Sequence, residues 1–445
     1  RCVKRKIWVV GVLTLLLTLV LSGCFVKTVD ELYTLPKHSD EYNDLQNAID
    51  GLMAQGAAYS APVSGANQQS VQLADLDGDG QDEAIVFLKT GGDKPLGAYI
   101  FDLIDGAYQN IAVIEGGGMA FASAEYVQLD NEGGVEILIG RKLSDQVIQT
   151  LGVYSLSDGH IVELMNANYS EYTLADLDGD GNKDIFLIRF DAEQAQGVAE
   201  LYRFRDGQMA REPEAQLTAG VQSVRRIVAG DLTRNVPAVF TAGVYPEEGI
   251  VTDVFAFRGG SFQNVTLADE DRAVQTVRNY YVYATDIDTD GLIELPELVP
   301  LARTENSDDG DSLIQWYNLD LAGNRTVKQT TYHNFSAGWY LKLPEEWAGH
   351  LTVARGDEVS GVRGTAFSGY HYSPELAEPI FTVYAFTGED RDQLAAADGR
   401  FVLSKKGDVT YAASFGTDRR AKALSEEDLK AMFNYIHVDW NSGET

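Results

Sequence analysis

Three nine-residue stretches carry the most specific chemistry in the chain. They are Asp75-Leu76-Asp77-Gly78-Asp79-Gly80-Gln81-Asp82-Glu83, Asp176-Leu177-Asp178-Gly179-Asp180-Gly181-Asn182-Lys183-Asp184 and Asp286-Ile287-Asp288-Thr289-Asp290-Gly291-Leu292-Ile293-Glu294. Each sets carboxylates at positions 1, 3, 5 and 9, with glycine at position 6 for a sharp turn. Oxygens spaced in this way converge on one hard cation, and calcium is the ion expected, about three ions in all. Four carboxylates in so short a segment repel one another unless a cation neutralises them. One such loop alone reads equally well as an ordinary Asp-Gly turn, but three in phase point to ion binding.

Positioning these loops requires a repeated unit. They begin at residues 75, 176 and 286, separations of 101 and 110 residues, twice a period of roughly 50 to 55. Midway copies exist in weaker form. Leu129-Asp130-Asn131-Glu132-Gly133-Gly134-Val135-Glu136 has Gln128 at position 1, and Val228-Ala229-Gly230-Asp231-Leu232 precedes Ala238-Val239-Phe240. These two degenerate units are expected to bind nothing. Each unit reads as strand, loop, strand, strand, strand; in the first the strands fall at about 70–74, 84–89, 97–104 and 107–114. Asp105-Gly106 is the tight turn between the last two, and Asp158-Gly159, Asp206-Gly207 and Gly259-Gly260 repeat it. Segments 84–88, 135–139 and 185–188, just after the loops, are apolar without alternation, the pattern of strands buried on both faces. Four-stranded sheets arranged radially meet that requirement. The expectation is a mainly β fold, a β-propeller of about five to six four-stranded blades over residues 69–331.

The D-x-D-x-D-G-x-x-[DE] loops opening a strand resemble the FG-GAP and VCBS-type repeats of integrin alpha-chain propellers and of many bacterial surface proteins. In that family the loop joins the first and second strands of a blade and holds one calcium through side chains at 1, 3, 5 and 9 and the backbone carbonyl at 7. The resemblance implies Asp75, Asp77, Asp79 and Glu83 with the carbonyl of Gln81. It likewise implies Asp176, Asp178, Asp180 and Asp184 with Asn182, and Asp286, Asp288, Asp290 and Glu294 with Leu292. Integrin propellers have more blades than the five units counted here, and residues 57–68 are available to complete a blade. The third loop also satisfies the twelve-residue EF-hand pattern, with Glu297 at position 12. Residues 280–284 read as β, however, and Pro296 and Pro300 oppose an exiting helix, which favours the propeller loop. Both readings predict calcium.

The flanks set the context. Arg1, Lys4, Arg5 and Lys6 precede an uncharged apolar stretch at 7–21, shorter than the roughly 20 residues a spanning helix needs. Leu21-Ser22-Gly23-Cys24 resembles the lipobox of bacterial lipoproteins. The expectation is a signal peptide at 1–23, a lipidated Cys24 and a tether at 24–37, with the chain anchored through lipid to the outer face of the bacterial cell membrane. Cys2 would leave with the signal peptide, so no disulfide is expected. Removal of residues 1–23 leaves 31 basic against 67 acidic residues, a net charge of −36, which argues against nucleic acid as a partner. Residues 38–68 read as a helix and linker, with Tyr42, Leu45, Ile49, Leu52 and Met53 forming a stripe that docks on the same protein. Beyond 331 the strands no longer repeat. Ser425-x-x-Asp428 is a capping box opening a final helix with Leu429, Met432, Phe433 and Ile436 on one face, so 332–445 is expected to form a small α+β domain.

No catalytic constellation stands out. The six histidines include no H-E-x-x-H, and there is no G-x-S-x-G elbow or P-loop. Tyr370-His371-Tyr372 is the most site-like cluster, and local aromatic packing explains it more simply. Two functions follow. The first is a membrane-anchored, calcium-stabilised, non-catalytic binding or scaffolding module for an extracellular protein or glycan. The second is a surface polysaccharide-degrading lyase or hydrolase built on a propeller frame.

Overall fold

The structure, a computed structural model, describes residues 40–144, 149–191, 196–246, 249–267, 276–279, 282–302, 312–356 and 361–437. The expected signal peptide, Cys24 and the tether to residue 37 lie outside the described residues.

Helix α1 (Asp40–Ala54) is followed by six antiparallel sheets. The first holds β1 (Ala58–Tyr59), β2 (Val71–Ala74), β3 (Glu83–Lys89), β4 (Leu96–Ile104) and β5 (Ala107–Gly116), with β1 and β2 sharing one edge of β3. The second is a meander of β6 (Ala120–Val127), β7 (Glu136–Lys142), β8 (Gln149–Ser157) and β9 (His160–Tyr169). The third runs β10 (Glu171–Ala175), β11 (Asp184–Asp191), β12 (Gln196–Arg205) and β13 (Gln208–Arg211), with β14 (Ala215–Gln216) on β12. The fourth comprises β15 (Ser223–Thr233), β16 (Val236–Tyr245), β17 (Gly249–Arg258) and β18 (Ser261–Asn264). Strand, loop, strand, strand, strand is therefore the unit in the first three sheets, as the repeat predicts, whereas in the fourth β15 runs through Asp231 to Thr233 and only residues 234 and 235 separate it from β16. The tight turns have positive φ at both central residues: 53° and 80° at Asp105-Gly106, 50° and 72° at Asp158-Gly159, 52° and 78° at Asp206-Gly207. Their twist matches that of the strands they join.

Strands after the loops are sandwiched, which is why their sequences do not alternate. Ile85 and Phe87 of β3 pack with Ile137 and Ile139 of β7, while Ala84, Val86 and Leu88 face Leu45 and Ile49 of α1. Leu138 of β7 meets Ile185 and Leu187 of β11, whose Phe186 and Ile188 turn to Val239 and Phe255 of the fourth sheet. Each sheet thus packs on the next as a blade does, and the fold is mainly β and propeller-like. The docking stripe of α1 is buried at Leu45 and Ile49, as expected.

The fifth and sixth sheets show what spacing alone could not. The fifth contains β19 (Leu295–Pro300), β20 (Ser312–Leu319), β21 (Arg325–Asn334), β22 (Trp339–Leu343) and, from the far end of the chain, β28 (Phe433–Tyr435). The expected boundary after residue 331 falls inside β21, and β28 pairs with β22 through Trp339 opposite Tyr435 and Leu341 opposite Phe433. The sixth holds β23 (Leu351–Arg355), β24 (Val362–Gly369), β25 (Glu378–Phe386), β27 (Val409–Phe415) and β26 (Phe401–Lys406), in that order. Leu313, Tyr332 and Trp339 of the fifth sheet share one core with Val353, Phe367 and Phe381 of the sixth. Short helices α2 (Arg391–Ala395) and α3 (Arg419–Lys422) lie against the sixth sheet, and Ala395 covers Phe386 and Ala412 on its outer face. Among the described residues no core cluster joins the first sheet to the sixth. The capping box forms at Ser425 and Asp428, opening α4 (Glu426–Met432). That helix is shorter than the apolar stripe implies, because Phe433 leaves it to pair in β28.

Candidate metal centres in the blade-opening loops

The aspartates of each loop first fold their own backbone. In the first loop Asp75 accepts hydrogen bonds from the N–H groups of Gly78 (2.8 Å) and Gly80 (3.1 Å), Asp77 from Asp79 (3.0 Å) and Asp79 from Gln81 (2.7 Å). The second loop repeats the set: Asp176 binds the N–H groups of Gly179 and Gly181, Asp178 that of Asp180, and Asp180 that of Asn182. In the third, Asp286 binds those of Asp290 and Gly291, Asp288 also binds Asp290, and Asp290 binds Leu292. The glycines at position 6 have φ of 88°, 97° and 88°, which explains the residue type there. Thr289, at position 4 of the third loop, takes φ of 64°, where its neighbours in the other loops are glycine.

Position 9 is the anchor. Glu83, Asp184 and Glu294 begin or directly precede the next strand and are buried. One oxygen of each accepts the N–H of position 2: Leu76 at 2.6 Å, Leu177 at 2.8 Å and Ile287 at 3.0 Å. Burial above all pushes these three carboxyls up to about 7; the position 2 N–H opposes the shift and the neighbouring aspartates reinforce it. The second oxygen of Glu83, Oε1, is buried with no hydrogen-bond partner.

Oxygens of Asp75, Asp77 and Glu83 lie within 4.8 Å of one another, as do those of Asp176, Asp178 and Asp184, and those of Asp286, Asp288 and Asp290. These are groups that could hold a metal ion. Asp79, Asp180 and Glu294, expected as ligands, fall outside them. Glu294 is diverted by a residue no motif names: Asn318 on β20 donates to its Oε1 at 2.6 Å. The position 7 residues Gln81, Asn182 and Leu292 are placed in their loops by N–H bonds to position 5, and Asn182 Oδ1 is buried without a partner. An all-oxygen donor set with an orphaned buried carboxylate oxygen fits a hard divalent cation. The third loop runs into strand β19 rather than a helix, and Glu297 lies exposed on that strand beside Arg325, so the EF-hand pattern is not realised.

The degenerate second unit keeps the shape. With its amide oriented to satisfy both ends, the Gln128 oxygen accepts from the N–H groups of Asn131 (2.9 Å) and Glu132 (3.2 Å). Glu136 accepts from Leu129 at 2.7 Å. This loop abuts the first: the Val135 N–H donates to the Asp75 carbonyl at 3.2 Å, and a Cβ on Gly134 would stand 2.1 Å from the Leu76 carbonyl oxygen. In the fourth unit the Asp231 carbonyl accepts from Ile293 of the third loop at 2.9 Å.

Two basic residues, also unseen in the motif, touch the loops. Arg203 on β12 pairs with Asp178, and Lys328 on β21 with Asp290 at 3.1 Å. Elsewhere, a groove of about 470 Å³ is lined by Tyr340, Lys406, Asn434, Tyr435, Ile436 and His437. The Tyr370 cluster is local packing: the Tyr370 hydroxyl donates to the Gly349 carbonyl, its ring meets His350, and Tyr372 is exposed.

The chain matches no protein-family model and no curated protein. Among solved structures it is similar to the exotype rhamnogalacturonan lyase YesX, at 12% identity over 66% of this chain and 60% of that one, with a TM-score of 0.25. The chain therefore spans less than two thirds of that lyase. It is also similar to Sqt1 from Chaetomium thermophilum, at 13% identity over 78% and 96% of the two chains and a TM-score of 0.31. A third is the rhamnogalacturonan lyase PL11 of Bacillus licheniformis, at 12% identity over 81% and 72% and a TM-score of 0.27. Likeness at this level assigns no activity. No helix among the described residues is long and apolar enough to cross a membrane.

Proposed function

We propose that this chain is an exported, lipid-anchored, non-catalytic binding or scaffolding module whose blade-opening loops hold calcium in the manner of FG-GAP and VCBS-type repeats. The observation that carries the reading is the gathering of acidic oxygens in three loops at equivalent places in their blades, with a buried oxygen of Glu83 left unpartnered among them. All donors of a site come from one loop, and its position 9 carboxylate is fixed at the start of the next strand. An ion held there clips blade entry to blade core and acts on stability. Cys24 supplies the membrane tether, and the ligand is a protein or glycan outside the cell.

Two experiments test this. Cys24→Ser is expected to release the protein from membranes into the soluble fraction; a mutant that still partitions with membranes sinks the lipid anchor. A polysaccharide panel with purified protein is expected to show no turnover. Cleavage that disappears on a point substitution in a surface cleft would establish the polysaccharide-degrading alternative instead.

A further inference from the structure

The three loops share a motif but differ in the positive charge around them. Among the described residues no lysine or arginine forms an ion pair with Asp75, Asp77, Asp79 or Glu83, and Glu83, which gathers with Asp75 and Asp77, has its Oε1 buried without a hydrogen-bond partner. At the second loop the Arg203 guanidinium sits on Asp178. It is held there by Glu212 and lies 4.9 Å over the ring of Phe257, with only 11% of the side chain exposed. At the third loop Lys328 Nζ lies 3.1 Å from Asp290, and both oxygens of Glu294 are taken, one by the Ile287 N–H and one by Asn318.

We infer that the loops are graded cation sites, the first being the single high-affinity one, while Arg203 and Lys328 serve as built-in counter-ions that weaken the second and third. The inference rests on the cation reading of the loops given above. A fixed positive charge in contact with a ligand oxygen both repels an incoming divalent ion and removes the repulsion among carboxylates that the ion would otherwise relieve. Arg203 is wedged between Glu212 and Phe257, so it cannot simply swing aside. Lys328 is more exposed and can, but its loop has lost the buried ninth ligand.

The test is calcium titration by calorimetry, with ions counted by native mass spectrometry, on the whole chain downstream of the signal segment carrying Cys24→Ser. One tight site is expected, with further binding at least about tenfold weaker. Glu83→Gln removes the tight site alone. Arg203→Met and Lys328→Met each tighten one weak site by about tenfold. Should Arg203→Met disturb folding through Phe257, Arg203→Gln and the surface change Lys328→Met still give the answer. Three equal sites, or lysine and arginine variants that superpose on the parent titration, overturn the grading and leave the cation reading intact. Absence of any bound calcium overturns both.

Discussion

In the loop at 75–83 the side chain that collects backbone N–H groups at position 1 is Asp75; in the adjoining loop at 128–136 it is Gln128. Both loops also hang on a buried position 9 glutamate that accepts the position 2 N–H, Glu83 from Leu76 and Glu136 from Leu129. Shape is therefore conferred by hydrogen bonds that a neutral amide can supply as well as a carboxylate. Ion binding would need something more, a density of negative charge, and the neighbour carries an amide where the first loop has the Asp75 carboxylate. The two loops touch backbone to backbone, Val135 on Asp75 and Gly134 on Leu76, so this difference is maintained across direct contact.

That contrast can be broken most directly by chelation. Calcium at a hundredfold excess over Kd stabilises a site by about 2.7 kcal/mol, so EDTA is expected to lower the melting temperature by several degrees. An unchanged melt would show that no loop is occupied. Next in size, Glu83→Gln should abolish the first loop's share of the calcium increment while leaving the EDTA melt within about 1 kcal/mol, since glutamine still accepts from Leu76. Glu136→Gln should leave the calcium increment as it was; equal losses from both substitutions would erase the distinction.

Proton competition sharpens the comparison further. Because burial holds Glu83 up at about 7 in the ion-free fold, calcium must displace a proton below that pH, and apparent affinity should fall about tenfold per pH unit. Glu136 has a similarly raised value of about 7, caused first by burial, and its loop is expected to bind no ion. Its contribution to stability is fully present below its ordinary value of 4.5 and is lost as pH rises through about 7. Glu136→Gln should remove that slope in the pH dependence of unfolding measured in EDTA, and an unaltered slope would count against the buried protonated form. Smallest of all, Gln128→Asp restores a carboxylate at position 1 of the second loop. It is expected to add a calcium-dependent increment of about 1 kcal/mol, detectable as one further ion by native mass spectrometry. Failure to gain any calcium dependence would mean that backbone geometry, not charge, disqualifies this loop.

Much of the blade architecture is legible from local chemistry. Asp105-Gly106 and its equivalents announce hairpins because few residue pairs tolerate two positive φ values in succession. The unbroken apolar run from Ala84 to Leu88 announces a strand covered on both sides, and α1 and the second sheet are what cover it. Ser425 and Asp428 announce a helix start, but nothing near Met432 announces its end, which is decided by the pairing of Phe433 with Leu341. The ligand set was legible only in part. Positions 1, 3 and 9 gather as spacing predicts in the first two loops, whereas Glu294 is claimed by Asn318 on a different strand.

Sequence alone determined the repeating unit, its turns and the acidic loops, because each is specified by residues within a few positions of one another along the backbone. Tertiary structure decided the rest: β28 returning to complete the fifth sheet, the sixth sheet sharing that sheet's core, and Arg203, Lys328 and Asn318 arriving at loops far from them in the chain. The physical reason is that a carboxylate's charge balance depends on whatever lies within a few ångströms in space, and neighbours of that kind leave no mark on spacing.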